Sequence, residues 1–284
     1  GHYLNKPFGD VWHKMRSIAY TTHPYRWMTI GAELSHIENA TLEDVKRFFF
    51  KHYRPANAIL TVAGHVTTAQ VRQLAEKWFG DIPSGEHYIR HLPQEPVQTT
   101  PRKLEVHANV PVDAFYKCWH ICSRTDRRYY ATDLLTEVLS GGGSSRLFQS
   151  LVKEKQLFSN IGCYHFGSID AGLAAIEGKL VKGVKMEEAE AAVEAEQKKK
   201  KNTLVEEKEL RKVKNKTESL ITFEDMSLMN RAGSLSFCSL LGNTNMINEE
   251  LERYQGVSAA ELRQEAEIIF DPNNSVTMYY FGNH

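Results

Sequence analysis

Apolar residues recur at helical spacing in three stretches near the start of the chain. The first stretch runs from Phe8 to Tyr20 and predicts one helix. A second helix is predicted to begin at Thr41, because an acidic residue three positions later, Asp44, is typical of a capped N-terminus. Thr67 caps a third helix, whose apolar stripe ends at a glycine. Between the second and third helices, residues 58–63 (AILTVA) are predicted to form a mostly buried strand.

The periodicity changes after a proline-rich stretch. Residues 81–101 have no regular spacing of apolar positions and have the composition of a semi-rigid linker. Residues 103–123 then alternate as a strand does, and residues 129–139 return to helical spacing. Two short apolar runs within residues 160–181 flank a glycine-containing segment that suits a turn, which predicts a β-hairpin.

Residues 187–242 are densely charged and are predicted to be mostly helical. Breaks are expected near residues 201–203 and near Glu218. The lysine run 198–201 is surrounded by glutamates, so it is interpreted as a solvated helix face or helix-end loop rather than a nucleic-acid patch.

The stretch from Leu139 to Leu157 (LSGGGSSRLFQSLVKEKQL) joins two helical patterns through a permissive segment. Gly141, Gly142 and Gly143 close the first pattern, and two serines precede the second. Glycine permits backbone conformations that other residues avoid, so a tight loop between two helices is predicted. A phosphate-binding loop is disfavoured, because the glycines follow a helix rather than a strand and no lysine comes after the last of them.

The last helix and strand of the chain repeat an earlier pair. When Ser258 is set against Thr41 without gaps, both copies read as a helix that enters at Ser or Thr and ends at an aromatic-x-Pro-x-Asn motif. Pro272 then falls on Pro55, and a strand pattern follows in each copy. Two such units in series predict a duplicated domain.

The duplication also predicts where the first copy starts. Gly1 corresponds to a position near Glu218 of the second copy. The residues from about 102 to 217 then have no counterpart in the first copy, so the first domain is expected to lack its N-terminal half.

Composition narrows the class of protein only moderately. The chain has 284 residues and a hydrophobic content of 42%, enough for a sizeable core and more than one domain. Its 35 basic residues equal its 35 acidic residues, and no apolar run approaches the length of a membrane span, so neither nucleic acid nor a membrane is indicated and a soluble protein is expected. The four cysteines contain no Cys-x-x-Cys pair and are interpreted as buried free thiols. The compartment is left open.

Several of these motifs together resemble the insulinase-like zinc metallopeptidases, in the shorter branch of bacterial and mitochondrial processing peptidases. The resemblance is carried by HPYRWMTIG (residues 23–31), YRPANAILTVAGHV (residues 53–66), KWFGDIP (residues 77–83) and above all by the glycine stretch. It covers essentially the whole chain. The family is built of duplicated α+β domains, and its paired halves close around an extended peptide.

The resemblance implies an α+β fold with duplicated domains, whose antiparallel-rich mixed sheets are flanked by helices. Residues 1–80 are then expected to form the C-terminal half of the first, catalytic-type domain, and residues 81–101 the linker. Residues 102–284 are expected to form the second domain, which closes the substrate chamber.

Zinc in this family is held by a His-x-x-Glu-His motif and a downstream Glu in the first half of the first domain. Neither that motif nor its reverse occurs in this sequence. The zinc motif is therefore expected upstream of Gly1, in a longer parent protein, and no metal ligand or catalytic residue is expected in this chain. His87 and His91 have helical spacing but lie in the linker, so they are not assigned as ligands.

The second domain of the family can supply an Arg and a Tyr, seven residues apart, that hold the substrate and polarise its carbonyl. The corresponding positions here are Val152 and Ser159, and a shift of one residue places Lys153 at the Arg position. The candidate residues of the substrate chamber are therefore Gly141, Gly142, Gly143, Val152 and Ser159. Substrate is expected to be held by shape and backbone contacts rather than by a charged clamp.

Two functions follow from the resemblance. In the first, the chain is part of a zinc endopeptidase that cleaves peptides in a clamshell chamber and pairs as a homo- or heterodimer with another insulinase-like chain. In the second, it belongs to a non-catalytic subunit or scaffold of the same fold, since function depends on sites rather than on folds. In either case the chain alone is expected to be inactive.

Overall fold

The computed structural model describes residues 6–31 and 33–283. The α-helices are α1 (Val11–Ala19), α2 (Leu34–Glu38), α3 (Leu42–His52), α4 (Thr68–Phe79), α5 (Tyr129–Ser140), α6 (Met186–Asn202), α7 (Glu207–Glu224), α8 (Leu228–Leu240), α9 (Met246–Gln255) and α10 (Ala259–Ile269). The strands are β1 (Arg102–Ala108), β2 (Ala114–His120), β3 (Phe158–Phe166), β4 (Leu173–Leu180) and β5 (Ser275–Gly282). Short 3-10 turns lie at Pro24–Arg26, Pro55–Asn57 and Pro272–Asn274, and a π-helical segment lies at Phe148–Glu154.

The chain forms two compact units. Unit 1 is built from the described parts of residues 1–28, 93–217 and 252–284, and unit 2 from those of residues 29–92 and 218–251. The domain boundaries predicted from the sequence concern duplicated copies rather than compact units, and they stay a prediction. Gly1, which the repeat sets against a position near Glu218, lies outside the described residues, so this equivalence also stays a prediction.

Unit 1 is organised around a five-stranded sheet in the order β1-β5-β2-β4-β3. Strand β5 pairs in parallel with β1 and antiparallel with β2, which makes the sheet mixed. Strands β3 and β4 form an antiparallel hairpin, as their sequence predicted. Helices flank this sheet, so the predicted α+β class is confirmed.

The alternation along β2 explains how the sheet is covered on both faces. Tyr116 belongs to a buried cluster that includes Met15 of α1, so α1 packs on this face. The next residue, Lys117, points to the other face and its ammonium donates to Glu190 of α6 at 2.9 Å. A strand that is buried on both faces loses the simple polar and apolar alternation of a half-exposed strand. All four cysteines are buried and none of them forms a disulfide bond, which agrees with the interpretation of the sequence.

Unit 2 contains helices α2, α3, α4 and α8, but residues 58–63 do not form the predicted strand. That prediction was wrong for a physical reason. A strand needs a hydrogen-bonded neighbour, and the described part of unit 2 contains no strand to pair with this segment. The segment is instead attached to α8 through a 2.7 Å hydrogen bond between the hydroxyls of Ser236 and Thr61.

Most predicted helices form, with two corrections. The first helix begins at Val11 rather than Phe8, because residues 7–10 form a turn in which Phe8 has a positive φ of 63°. The break predicted near Glu218 is absent, since α7 continues to Glu224 with Leu220 and Phe223 extending its apolar pattern. The break predicted near residues 201–203 is confirmed, because α6 ends at Asn202.

The internal repeat is visible in the local structure of both copies. Thr41 and Asp44 form a reciprocal capping box at the start of α3, and Ser258 and Glu261 form the same box at the start of α10. Both helices end before a 3-10 turn that begins at proline. The equivalence therefore extends from the sequence to the backbone, up to the point where the second copy continues into β5.

Equivalent apolar side chains of the two copies differ in how deeply they are buried. Val45 of α3 is 57% exposed, whereas Leu262 at the equivalent position of α10 is fully buried. Likewise Ile59 is 45% exposed and its equivalent Val276, in β5, is fully buried. In unit 1 the α10 helix is covered by α5 and α6, and β5 lies between β1 and β2. No described element of unit 2 takes the place of those two neighbouring strands.

Candidate functional site

The glycine loop begins directly at the end of α5. The backbone N–H of Gly141 donates to the carbonyl of Glu137 at 2.6 Å, which closes the last turn of the helix. Gly142 then adopts a φ of +111°, a conformation that L side chains rarely adopt. Gly142 and Gly143 are exposed, and a Cβ added at either would meet no described atom within 4 Å. The loop is therefore a tight turn made possible by Gly142, as predicted.

The helical segment after the loop is a π-helix over residues 148–154 rather than an α-helix. The N–H of Lys155 donates to the carbonyl of Ser150, five residues earlier, at 2.9 Å. Gln156 follows with a positive φ of 52°, which is uncommon for a residue other than glycine. π-Helices are rare and occur frequently at functional sites, and this one contains the candidate residue Val152.

Val152 and Ser159 lie on either side of the turn that joins the π-helix to β3. Val152 is half-buried in the π-helix, and Ser159 is exposed in β3, where its hydroxyl donates to the carbonyl of Lys179 at 3.2 Å. The turn between them is closed by the N–H of Leu157, which donates to the carbonyl of Leu151 at 3.0 Å. The structure thus places both residues next to one turn, and neither side chain carries a charge.

Strand β3 lies at an edge of the sheet. It pairs with β4 on one side and has no second strand among residues 6–31 and 33–283. The pairing shifts by one residue between Phe158 and Asn160, beside Ser159. An edge strand with an irregular register presents backbone N–H and C=O groups that another extended chain can bind.

Polar contacts fasten the glycine loop to α7. Arg146, at the end of the loop, donates through Nε and Nη2 to the two carboxylate oxygens of Glu209, at 3.0 and 2.6 Å. This hydrogen-bonded carboxylate raises the pKa of Arg146 above its ordinary value. Lys212 donates to the hydroxyl of Ser144 at 2.7 Å, and Lys216 to the carboxylate of Glu137 at 2.5 Å. One face of α7 therefore holds both ends of the loop.

A second contact fixes the π-helix to α6. The hydroxyl of Ser150 donates to Glu196 at 2.8 Å, and the ammonium of Lys199 donates to the same oxygen at 2.7 Å. Burial alone would raise the pKa of Glu196, yet these two hydrogen bonds hold it below the usual carboxyl value. The carboxylate therefore stays charged at neutral pH and anchors the π-helix.

Sequence reasoning did not identify these partners of the loop, although a signal was present. Glu209, Lys212 and Lys216 follow one another at spacings of three and four, which places them on one face of a helix. That spacing predicts a charged face, but it does not reveal which loop the face contacts.

The contacts of two histidines show how these rings are placed in the structure. The ring of His87 contacts the carbonyl of Ala56 at 2.9 Å, outside any helix, so the helical spacing to His91 has no structural meaning. His23 is buried and contacts Asp170 at 3.2 Å. Within the described residues, no group of three or more His, Cys, Asp and Glu side chains could hold a metal ion. The zinc motif expected upstream of Gly1 lies outside these residues, and its position stays a prediction.

Comparison with known proteins decides the family. The sequence model of the family described as "Peptidase M16 inactive domain" matches residues 39–217, more than half of the chain. The chain belongs to the peptidase M16 family. The matched part of this M16 chain includes α3, residues 81–101, the glycine loop and the edge strand β3.

Curated relatives carry names of zinc proteases. The chain is 32% identical over 158 residues to "Zinc protease PqqE" of Helicobacter pylori, which covers 55% of the chain and 35% of the relative. It is 25% identical over 177 residues to "Uncharacterized zinc protease YmxG" of Bacillus subtilis, with 60% and 40% covered. The chain therefore matches well under half of the length of these relatives.

Solved structures of other proteins share the fold. A protease from Helicobacter pylori superposes with a TM-score of 0.89 at 24% identity, and the match covers 98% of this chain and 68% of the protease. A peptidase M16 inactive domain from Pseudomonas fluorescens has a TM-score of 0.87 at 16% identity, and the match covers 100% of this chain and 67% of that domain's chain.

No described helix of the M16 chain is long and apolar enough to cross a membrane.

Proposed function

We propose that this chain is the non-catalytic, substrate-chamber part of a longer M16 zinc endopeptidase, and that it is inactive without the polypeptide that carries the zinc motif. The observation that carries the proposal is the contrast in burial between the two copies of the repeated unit. In unit 1 the copy is covered by strands and helices, and in unit 2 the equivalent apolar side chains are exposed. Contiguous exposed apolar surface is a marker of an interaction site.

The elements that surround the copy in unit 1 indicate which elements the copy in unit 2 lacks. Strand β5 has one parallel and one antiparallel neighbour, and α10 packs against α5 and α6. By equivalence, residues 58–63 require two strands and α3 requires at least one helix. The first half of an M16 catalytic-type domain would supply these elements together with the His-x-x-Glu-His motif that the chain lacks. The names of the curated relatives support zinc in such a parent.

Peptide substrate is proposed to bind beside the glycine loop. An extended peptide would add to the free edge of β3 and form backbone hydrogen bonds there, next to Val152 and Ser159. Because neither residue is charged, the contacts would select for an extended backbone more than for a particular side chain. The links from α7 and α6 to the loop and the π-helix would keep this edge rigid during binding.

Metal analysis and a peptidase assay test this function directly. The purified chain of 284 residues is expected to hold no stoichiometric zinc and to leave an internally quenched fluorogenic peptide uncleaved. The full-length protein is expected to hold about one zinc ion per chain and to cleave the peptide, with loss of both on treatment with a chelator. One equivalent of zinc together with turnover in the isolated chain would overturn the proposal.

The second function, a non-catalytic subunit or scaffold, is favoured by a different observation. Val152 and Ser159 replace the Arg and Tyr that the resemblance places at these positions. A full-length protein that lacks His-x-x-Glu-His, binds no zinc and still binds extended peptides would favour this function. Zinc binding with turnover would exclude it.

A further inference from the structure

The polypeptide crosses between the two units at four places. These lie between residues 28 and 29, 92 and 93, 217 and 218, and 251 and 252. Close to these crossings, on the side of unit 1, the structure contains two polar clasps. Each clasp joins one chain segment that leaves unit 1 to another that returns to it.

The first clasp is formed by the carboxylate of Glu95, two residues after unit 1 resumes at Pro93. One of its oxygens accepts from the backbone N–H of Thr21 at 2.7 Å and from the Thr21 hydroxyl at 2.8 Å. The other accepts from the backbone N–H groups of Thr22 at 2.9 Å and His23 at 2.8 Å. Burial alone would raise the pKa of Glu95, but these four hydrogen bonds lower it to about 2, so the carboxylate is charged at neutral pH.

The segment held by Glu95 is fixed to unit 1 from a second direction. The ring nitrogen Nδ1 of His23 accepts from the N–H of Tyr25 at 3.1 Å, which leaves Nε2 to face the carboxylate of Asp170 at 3.2 Å. Asp170 lies between β3 and β4. The chain therefore stays attached to the end of the β-hairpin until shortly before it leaves for unit 2.

The second clasp joins the two helices that cross between the units. Lys214 of α7 lies three residues before the crossing at 217, and its ammonium donates at 2.7 Å to the backbone carbonyl of Gln255, the last residue of α9. A cation at the C-terminal end of a helix also interacts favourably with the helix dipole. The two helices are thus fastened together at their unit 1 ends.

We propose that these two clasps form a conformational device that anchors the four connections on unit 1 in two pairs, so that in each pair the segment leaving unit 1 and the segment returning to it are held together. Neither clasp belongs to the glycine loop or to the proposed peptide site. The inference is therefore independent of whether the parent protein is an active peptidase.

Hydrogen exchange followed by mass spectrometry tests the device in the chain as it exists. Glu95→Gln is expected to increase exchange of the amides of residues 21–23 at least ~10-fold, because the neutral side chain offers one acceptor oxygen instead of two charged ones. Exchange is expected to increase also in residues 29–31 and 88–92, beyond the clasp. Glu105→Gln, which neutralises a carboxylate on the edge strand β1, is the matched control and should change neither region.

Lys214→Met tests the second clasp, with Lys208→Met on the same helix as its control. The double variant Glu95→Gln/Lys214→Met is expected to show faster exchange in both pairs of connections, whereas each single variant should affect one pair, with circular dichroism unchanged. Faster exchange confined to residues 21–23, with unchanged exchange in the connections, would overturn the proposal, as would no change in exchange at all. If Glu95→Gln does not fold, Thr21→Val removes one of the four hydrogen bonds and is expected to give a roughly threefold increase in the same peptides.

Discussion

The two copies of the helix, 3-10 turn and strand pattern offer an internal comparison of what local and tertiary interactions contribute. Both copies form a capping box and a proline-initiated turn, whether or not the helix is covered. Only the copy in unit 1 completes a strand, where β1 and β2 flank it. The caps and turns are therefore set by nearby side chains, whereas the strand depends on neighbours that are distant in sequence.

The largest effect is expected from removing matched apolar side chains. Leu262→Ala should lower the free energy of unfolding of unit 1 by about 3 kcal/mol, because a fully buried leucine leaves a cavity. Val45→Ala should cost less than about 0.5 kcal/mol in the isolated chain, since the side chain is largely exposed. Urea denaturation followed by circular dichroism measures both.

The same two substitutions test whether the low cost of Val45→Ala arises only because α3 is exposed in the isolated chain. In the full-length protein, α3 is proposed to be covered by further polypeptide. Val45→Ala should then lower the free energy of unfolding by about 1 to 2 kcal/mol. A cost in the isolated chain that already equals that of Leu262→Ala would show that α3 is packed without any further polypeptide, and the comparison would fail.

Removal of either helix cap is expected to have a smaller effect than removal of Leu262, and the effect should be equal at the two helices. Thr41→Ala and Ser258→Ala each remove the side-chain acceptor of a capping box and should each cost about 1 kcal/mol. Amide exchange in the first turn of α3 and of α10 measures the local loss. Unequal losses, with α3 unaffected, would indicate that the α3 cap forms only when the helix is covered.

The smallest effect is expected from a titratable side chain that only the covered copy contains. Glu265 is buried at the position where α3 has Phe48, and burial raises the pKa of this carboxyl group. A raised pKa means that the folded state binds the proton more tightly than the unfolded chain. The stability contributed by this proton binding is complete at acidic pH and is lost as the pH rises through the folded-state pKa.

Glu265→Gln mimics the protonated form. Its free energy of unfolding should therefore increase relative to the parent chain as the pH is raised from about 4 to about 8. Urea denaturation at each pH measures the difference, and Glu267→Gln, at an exposed position of the same helix, is the control. A difference that does not depend on pH would contradict the assignment of this titration to Glu265.

Local chemistry explains most of what the sequence predicted correctly. Thr41 and Thr67 begin helices because their side chains satisfy free N–H groups, and Gly142 turns the chain because it tolerates a positive φ. The hairpin of β3 and β4 was predicted because both strands and their turn are contiguous. Each of these features depends on residues close together in the chain.

The features that sequence reasoning missed depend on partners elsewhere. Residues 58–63 have a strand composition but lack neighbours, so the expected strand does not form. The π-helix after the glycine loop and the contact between Arg146 and Glu209 depend on how α6 and α7 pack against this region. The clasp of Glu95 joins residues more than 70 positions apart, and no periodicity reports such a contact.

The reactivity of the buried cysteines can be used to measure local unfolding of the chain. Burial raises the pKa of Cys118 to about 12 and that of Cys122 to about 11, so neither forms the reactive thiolate at neutral pH while its surroundings stay packed. Cys163 belongs to the same unit, whereas Cys238 lies in unit 2. The rate at which an alkylating reagent modifies each cysteine therefore reports transient unfolding separately for each unit, without any introduced label.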